Sequence, residues 1–301
     1  MLQLKNPKTA VPVVLFAGLI WSFGPLVVRY MDEPYLIPWQ YIFGRGLTIF
    51  ILLNLYLFFE EGKNFYKNYY KIGLSGLIGG SGLGVAMISF MFSITNTSAA
   101  ITLLCLAAMP FFTALLAFLF LREKISLNVW VSIAIASVGI LIMAIGSRTD
   151  TSLIGFIFGI TASVGFSIFS VTLRWRKETP KFTTTAFAGF FCVVFSTIVI
   201  LINDYNFFST SYNSSLFSLH GTLVCLGLVL YSIGSKAIPA AELTLLSLTE
   251  VIGGIFWVWL PLFGINEIPT TNTIIGGFFL FISLTYYSLV MRWNKRYIGL
   301  N

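Results

Sequence analysis

The sequence predicts an all-α integral membrane protein of ten transmembrane helices, arranged as two inverted five-helix repeats. Three observations lead there. Ten apolar segments separated by short polar loops fill nearly all of the 301 residues. Lysine and arginine crowd alternate loops. Features of the first half return at a fixed spacing in the second.

The segments run over residues 11–30, 35–58, 72–94, 98–121, 127–146, 153–173, 182–202, 217–234, 240–263 and 273–291. Most reach the roughly 20 residues that a helix needs to cross a bilayer. They are too long and too evenly apolar for the short alternating strands of an outer-membrane barrel, and helices are the remaining way to satisfy backbone polar groups in lipid. With 57% hydrophobic and 10% charged residues, a water-soluble fold would leave a large apolar surface exposed. Lys5 and Lys8 precede the first segment as in a signal peptide, but that segment is long and lacks a small-x-small cleavage pattern, so it reads as a retained helix. In the third segment Gly76, Gly80 and Gly84 recur every four residues, the spacing of close helix contact. The same run lacks the spacing and preceding strand of a dinucleotide fingerprint. Lys63 to Lys71, with Tyr66, Tyr69 and Tyr70, reads as an interfacial stretch at headgroup level.

With the amino terminus in the cytoplasm, fifteen of the eighteen basic residues fall on the inner side, including Arg122, Lys124, Arg174, Arg176, Lys177, Lys181, Lys236, Arg292, Lys295 and Arg296. Arg29 and Arg148 fall outside, and Arg45 lies within the second segment. The bias sets both termini in the cytoplasm and an even number of spans. The net charge of +7 is therefore a topological signal, and no nucleic-acid partner is expected.

The distance from Gly18 to Gly159, 141 residues, also carries Ser22 to Ser163, Gly24 to Gly165, Phe50 to Phe191, Gly80 to Gly221 and Ala99-Ala100 to Ala240-Ala241. Each match sits at the same depth of the corresponding segment. Because each half has five helices, the second half enters the bilayer from the opposite face. Such inverted repeats are common in secondary transporters, with a substrate site near the midplane between the halves. The repeats are assigned to residues 1–148 and 149–301.

The run Gly18-Leu-Ile-Trp21-Ser22-Phe-Gly24, Arg45, and the stretch from Ala99-Ala100 through Pro110 to Leu121-Arg122-Glu123-Lys124-Ile125 resemble the EamA branch of the drug/metabolite transporter superfamily. Pro239-Ala240-Ala241, Leu248-Thr249-Glu250 and Gly264-Ile-Asn-Glu267 repeat the pattern in the second half. The resemblance covers almost the whole chain, and its degenerate motifs name a superfamily rather than a substrate. Val251 departs from it, standing where a proline often follows the glutamate of segment 9, which puts the bend of that segment in question. The resemblance implies a cavity lined by helices 1, 3, 4, 6, 8 and 9. Trp21, Phe90, Met91, Met109, Tyr231 and Glu250 are the wall candidates it supplies.

Ionisable residues at membrane depth are costly and mark a function or a partner. Arg45 and Glu250 each lie near the middle of a segment. A guanidinium holds a carboxylate bidentately and keeps its proton. An acid in apolar surroundings suits a proton carrier or the counter-charge of a cationic group, so Glu250 is both a substrate-binding and the proton-coupling candidate. The alternative is that Arg45 and Glu250 pair with each other or with carbonyls and fasten the halves. Helical spacing places Ser247, Glu250, Gly254 and Trp257 on one stripe, where an acid followed by an indole suits an amine or onium group. Trp257 and Trp259 equally fit interfacial anchors. Glu242 reads as a solvated helix-start acid. Trp21 fits a cavity wall or plain packing. Ser163, with Ser22 and Ser167, offers hydroxyls from repeat-related segments or packs helices closely.

Cys105, Cys192 and Cys225 show no paired spacing, so neither a metal site nor a disulfide framework is expected. His220, at the head of the eighth segment, reads as a solvated or capping histidine. One histidine, no His-Glu-x-x-His and no serine elbow leave a membrane hydrolase without its reagents, so neither an enzyme nor a cofactor is expected. The expected function is secondary active transport by alternating access, moving a small polar or amphipathic metabolite, an amino acid or amine-bearing one, across the cytoplasmic (inner) membrane. The chain would work as a monomer or weak homodimer, driven by an ion gradient such as that of protons, by exchange or by the substrate's own gradient. The alternative is a passive channel or structural membrane protein with Arg45 and Glu250 as a structural pair.

Overall fold

The computed structural model describes residues 6–146, 152–176 and 178–298. Lys5, Arg148, Lys177 and the expected boundary between the repeats lie outside the described residues, as do the side chains of Arg292, Lys295 and Arg296. All regular structure among the described residues is helical. The helices are α1 Pro7–Arg29, α2 Pro38–Asn64, α3 Gly73–Asn96, α4 Ala99–Leu121, α5 Leu127–Gly146, α6 Leu153–Trp175, α7 Lys181–Ile202, α8 Ser211–Gly234, α9 Ala240–Trp259 and α10 Thr271–Ile298. Among the described residues nine of them are long and apolar enough to span a bilayer; α5 is helical over the predicted bounds, with a shorter described apolar stretch, Leu127–Ile142. The chain is a multi-pass membrane protein.

Local chemistry explains where the helices differ from the apolar runs. The eighth begins at Ser211 rather than Phe217, because the Thr210 side chain caps it by accepting the Asn213 N–H and the polar first turns still form helix. The ninth stops at Trp259, since Pro261 cannot continue it.

Three helices are interrupted. In α1 the break lies between Trp21 and Gly24, just before Pro25. In α4 it lies between Leu106 and Met109, where Pro110 supplies no N–H. In α9 it lies between Leu246 and Thr249, so the segment bends although Val251 replaces the proline. Hydroxyls do the work there: Ser247 Oγ donates to the Thr244 carbonyl at 2.8 Å, and Thr249 Oγ1 donates to the Leu246 and Leu15 carbonyls at 3.1 and 3.2 Å. Such bonds compete with the helix ladder, and the turn tightens until Glu250 N–H reaches the Ser247 carbonyl.

The main helix pairs are α3 with α6, α2 with α7, α5 with α10, α3 with α7, α1 with α8, α2 with α8, and α4 with α6 and α9. The glycine ladder of α3 packs as its spacing predicts. Gly76, Gly80 and Gly84 face Thr184, Phe187 and Phe191 of α7, and an added Cβ at Gly80 would lie 2.8 Å from the Thr184 carbonyl. Where α3 crosses α6, an added Cβ at Gly165 would lie 2.6 Å from the Gly82 carbonyl, so the backbones touch.

Each end of the bundle is tied by an arginine. At one end Arg29 Nε meets Glu267 Oε1 at 2.5 Å, while Nη1 and Nη2 donate to the carbonyls of Ile94 and Thr97. At the other, Arg174 Nε meets Glu123 Oε1 at 2.7 Å and Nη1 donates to the carbonyls of Ser235 and Ile238. Glu242, expected to be solvated, starts α9 but accepts a hydrogen bond from the Tyr287 hydroxyl of α10.

Candidate functional site

A cavity of about 80 Å³ lies in the centre of the bundle. Trp21 and Gly24 reach it from the break in α1, and Arg45 from α2. Leu83, Ala86, Met87 and Phe90 form one helical stripe of α3, and Ala162 and Phe166 come from α6. His220, Val224 and Leu228 descend α8 at intervals of one turn. Leu106 and Met109 flank the break of α4, and Glu250 stands in the first turn after the break of α9. Met109 and Glu250 are 141 residues apart, so each broken helix offers its equivalent position, an apolar one in the first half and an acid in the second.

Arg45 is buried and held on two sides. Nη1 donates to the Tyr41 hydroxyl at 2.7 Å, Nη2 donates to the Met87 carbonyl at 2.6 Å, and the guanidinium carbon sits 4.7 Å from the centre of the Tyr41 ring. Tyr41 is one helical turn before Arg45, and its oxygen also lies 2.7 Å from His220 Nδ1. Glu250 is half-buried at the cavity wall, and among the described residues no hydrogen bond or ion pair engages its carboxylate. Arg45 and Glu250 thus share one cavity without being bonded to each other.

Of the ten candidate residues, Trp21, Arg45, Phe90, Met109 and Glu250 line this space. The other five are not among its lining residues. Tyr231 is fully buried, its hydroxyl 2.7 Å from Ser170 Oγ and its ring 5.5 Å from Trp21 and 5.3 Å from Phe166. Met91 is buried in the core, and Ser163 is buried with an unbonded hydroxyl. Ser247 serves the α9 break through its bond to Thr244. Trp257 stacks on Phe23 at 4.7 Å and donates from Nε1 to Ser22 Oγ at 2.8 Å, clasping α9 to the break of α1. Of the predicted stripe, Glu250, Gly254 and Trp257 lie on the helix after the break while Ser247 lies in the break itself, and only the acid lines the cavity.

His220 corrects the sequence expectation. It is neither solvated nor a cap, because α8 starts nine residues earlier, at Ser211, and carries the imidazole into the bundle at 2% exposure. Tyr41 was legible only as a residue one turn before Arg45. Helix 2, absent from the lining that the family resemblance implies, contributes Arg45.

Comparison with known proteins bears on this geometry. Residues 8–145 match the EamA-like transporter family. The resemblance read from the first-half motifs agrees with this match. A protein of Helicobacter pylori (strain J99 / ATCC 700824), named as an uncharacterized transporter, is 28% identical over 171 residues, which are 56% of each chain; the match spans about half the length of that relative. A second protein of the same name, from Helicobacter pylori (strain ATCC 700392 / 26695), is 24% identical over 259 residues, 82% of this chain and 84% of its own. A solved protein crystal structure superposes on 95% of this chain and 98% of its own, with a TM-score of 0.68 and 15% identity. The chain therefore shares that structure's fold through both halves.

Proposed function

We propose that this chain is a secondary transporter of the cytoplasmic (inner) membrane that carries an amino acid or a similar small zwitterion by alternating access. The carrying observation is the Glu250 carboxylate, unbonded among the described residues, in the same central cavity as a fixed Arg45 guanidinium. A zwitterion matches both, its ammonium at Glu250 and its carboxylate at Arg45, and leaves neither charge buried alone. Half-helix ends near the midplane, as at Met109 and Glu250, are a recurrent way to build such sites.

Ten spans in two inverted repeats, residues 1–148 and 149–301, with both termini cytoplasmic, fit the pairing pattern. Exchanging the halves turns the α3–α6 contact into α8–α1 and α3–α7 into α8–α2, and both are present. The two arginine ties support the same relation. Ser235 and Ile238, which serve Arg174, follow Ile94 and Thr97, which serve Arg29, by 141 residues each. In the positive-inside orientation the Arg29 tie closes the outer end and the Arg174 tie the inner end. Partly exposed ion pairs contribute on the order of 1 kcal/mol, weak enough to open in every cycle.

Counterflow in proteoliposomes tests the reading. Flux of one or more of the twenty amino acids is expected to saturate and to be accelerated by unlabelled substrate on the far side. Flux that rises linearly with the gradient would make the protein a passive channel, and none at all would leave Arg45 and Glu250 as structural residues.

A further inference from the structure

His220 is the only histidine of the chain, and it stands between Tyr41 and the cavity. The Tyr41 oxygen receives a hydrogen bond from Arg45 Nη1 and lies 2.7 Å from His220 Nδ1. A guanidinium only donates, and a phenol has one proton. That proton therefore goes to Nδ1, the other polar atom bonded to the Tyr41 oxygen. An imidazole that accepts at Nδ1 carries its own proton at Nε2, because the bond made by one ring nitrogen sets the state of the other. Nε2 has no protein partner among the described residues. Gly24, which lines the same cavity, leaves it room: an added Cβ there would stand 2.7 Å from Nε2.

We propose that the His220 Nε2–H is a substrate-binding donor that, beside Arg45, holds the oxyanion of the transported molecule, with Tyr41 as the positioning residue that sets its tautomer. The identity of the oxyanion as a carboxylate rests on the zwitterion proposal; the donor itself rests on the Arg45–Tyr41–His220 chain. The arrangement supplies one charged and one neutral donor from different helices. A site built this way rejects analogues that lack the oxyanion, since they leave a buried donor unpaired. The same donors would receive the oxygens of a phosphate.

Selective ¹⁵N labelling of histidine tests this, because a single residue gives an unambiguous spectrum. The wild-type protein in nanodiscs is expected to show an Nε2–H tautomer with an unprotonated Nδ1, and Tyr41→Phe to mix the tautomers. Among the twenty amino acids, those that bind are expected to move the Nε2 resonance, while their carboxamides leave it in place. His220→Gln, which keeps an N–H near the Nε2 position, is expected to bind within a few-fold of wild type, and His220→Leu at least tenfold more weakly. An Nδ1–H tautomer, or an Nε2 signal indifferent to an amino acid that binds, overturns the donor role while leaving the transport reading intact. If no amino acid binds, acetate and a phosphate monoester are added to the same sample. A response to either upholds the donor and refutes the amino acid, and silence to both refutes the donor as well.

Discussion

In the proposed site Glu250 and Arg45 would divide the recognition between them, and their surroundings explain the division. Arg45 is locked by Tyr41 and the Met87 carbonyl, so it offers a fixed charge; among the described residues Glu250 has no such tie. Removing one member of a buried charge pair costs about 2–5 kcal/mol, so Glu250→Gln is expected to weaken amino acid binding by roughly 30-fold or more in an isotherm. Should Glu250 instead carry the coupled proton, the same variant keeps binding and exchange but loses uptake driven by a pH gradient. Wild-type behaviour in both assays would remove Glu250 from the mechanism. Gly24→Ala is a second probe at this scale. Its Cβ would press on His220 Nε2 at 2.7 Å, overpacking that typically costs about 1–3 kcal/mol, and thermal unfolding together with binding is expected to show a folded protein with impaired binding. Unchanged binding in Gly24→Ala would place His220 away from the ligand. Arg45 and Glu250 were legible in the sequence because charge at membrane depth is rare. His220 was not, because the polar stretch before Phe217 resembled a loop until Thr210 was seen to cap it.

Among the elements, the broken helices and the two arginine ties are the parts that the proposed transport cycle would move. Apolar runs are enough to find the spans, whereas the α9 break arises from hydroxyls competing with the ladder, a signal hidden by the missing proline at Val251. The ties were visible only as fragments, Arg122-Glu123 before α5 and Glu267 before α10, since nothing in the chain order tells which arginine each acid meets. If they are opposed gates, weakening one biases access toward its own side. A cysteine at the cavity-lining position Ala162, in a background without the three native cysteines, reads this out. Glu123→Gln is expected to raise its labelling by impermeant thiol reagents from the cytoplasmic face, and Glu267→Gln from the outer face. Equal changes from both sides, or none, would reduce the ties to simple braces.

For the whole molecule, topology and the repeat stand or fall together. Asn213 and Thr179 mark the informative loops but are buried, the first bonded to Asp32 and the second to Ser75, so exposed neighbours serve better as label sites. Cysteines introduced at Asn206 and Glu178 are expected to report opposite faces, Asn206 outside and Glu178 in the cytoplasm. Labelling of both from one side would end the ten-span inverted repeat. The membrane class was legible because composition and segment length follow directly from the lipid solvent, and the family resemblance because its motifs are local in sequence, while the substrate was not, because a cavity is assembled from residues distant in sequence. The measurement that bears most directly on the central claim is a titration of the wild type, Arg45→Ala and Glu250→Gln with a transported amino acid, its carboxamide and its deaminated acid. The account predicts that the wild type prefers the amino acid by at least about tenfold over either analogue, that Arg45→Ala no longer distinguishes acid from carboxamide, and that Glu250→Gln no longer distinguishes amine from deaminated acid. Wild-type discrimination preserved in both variants would contradict it.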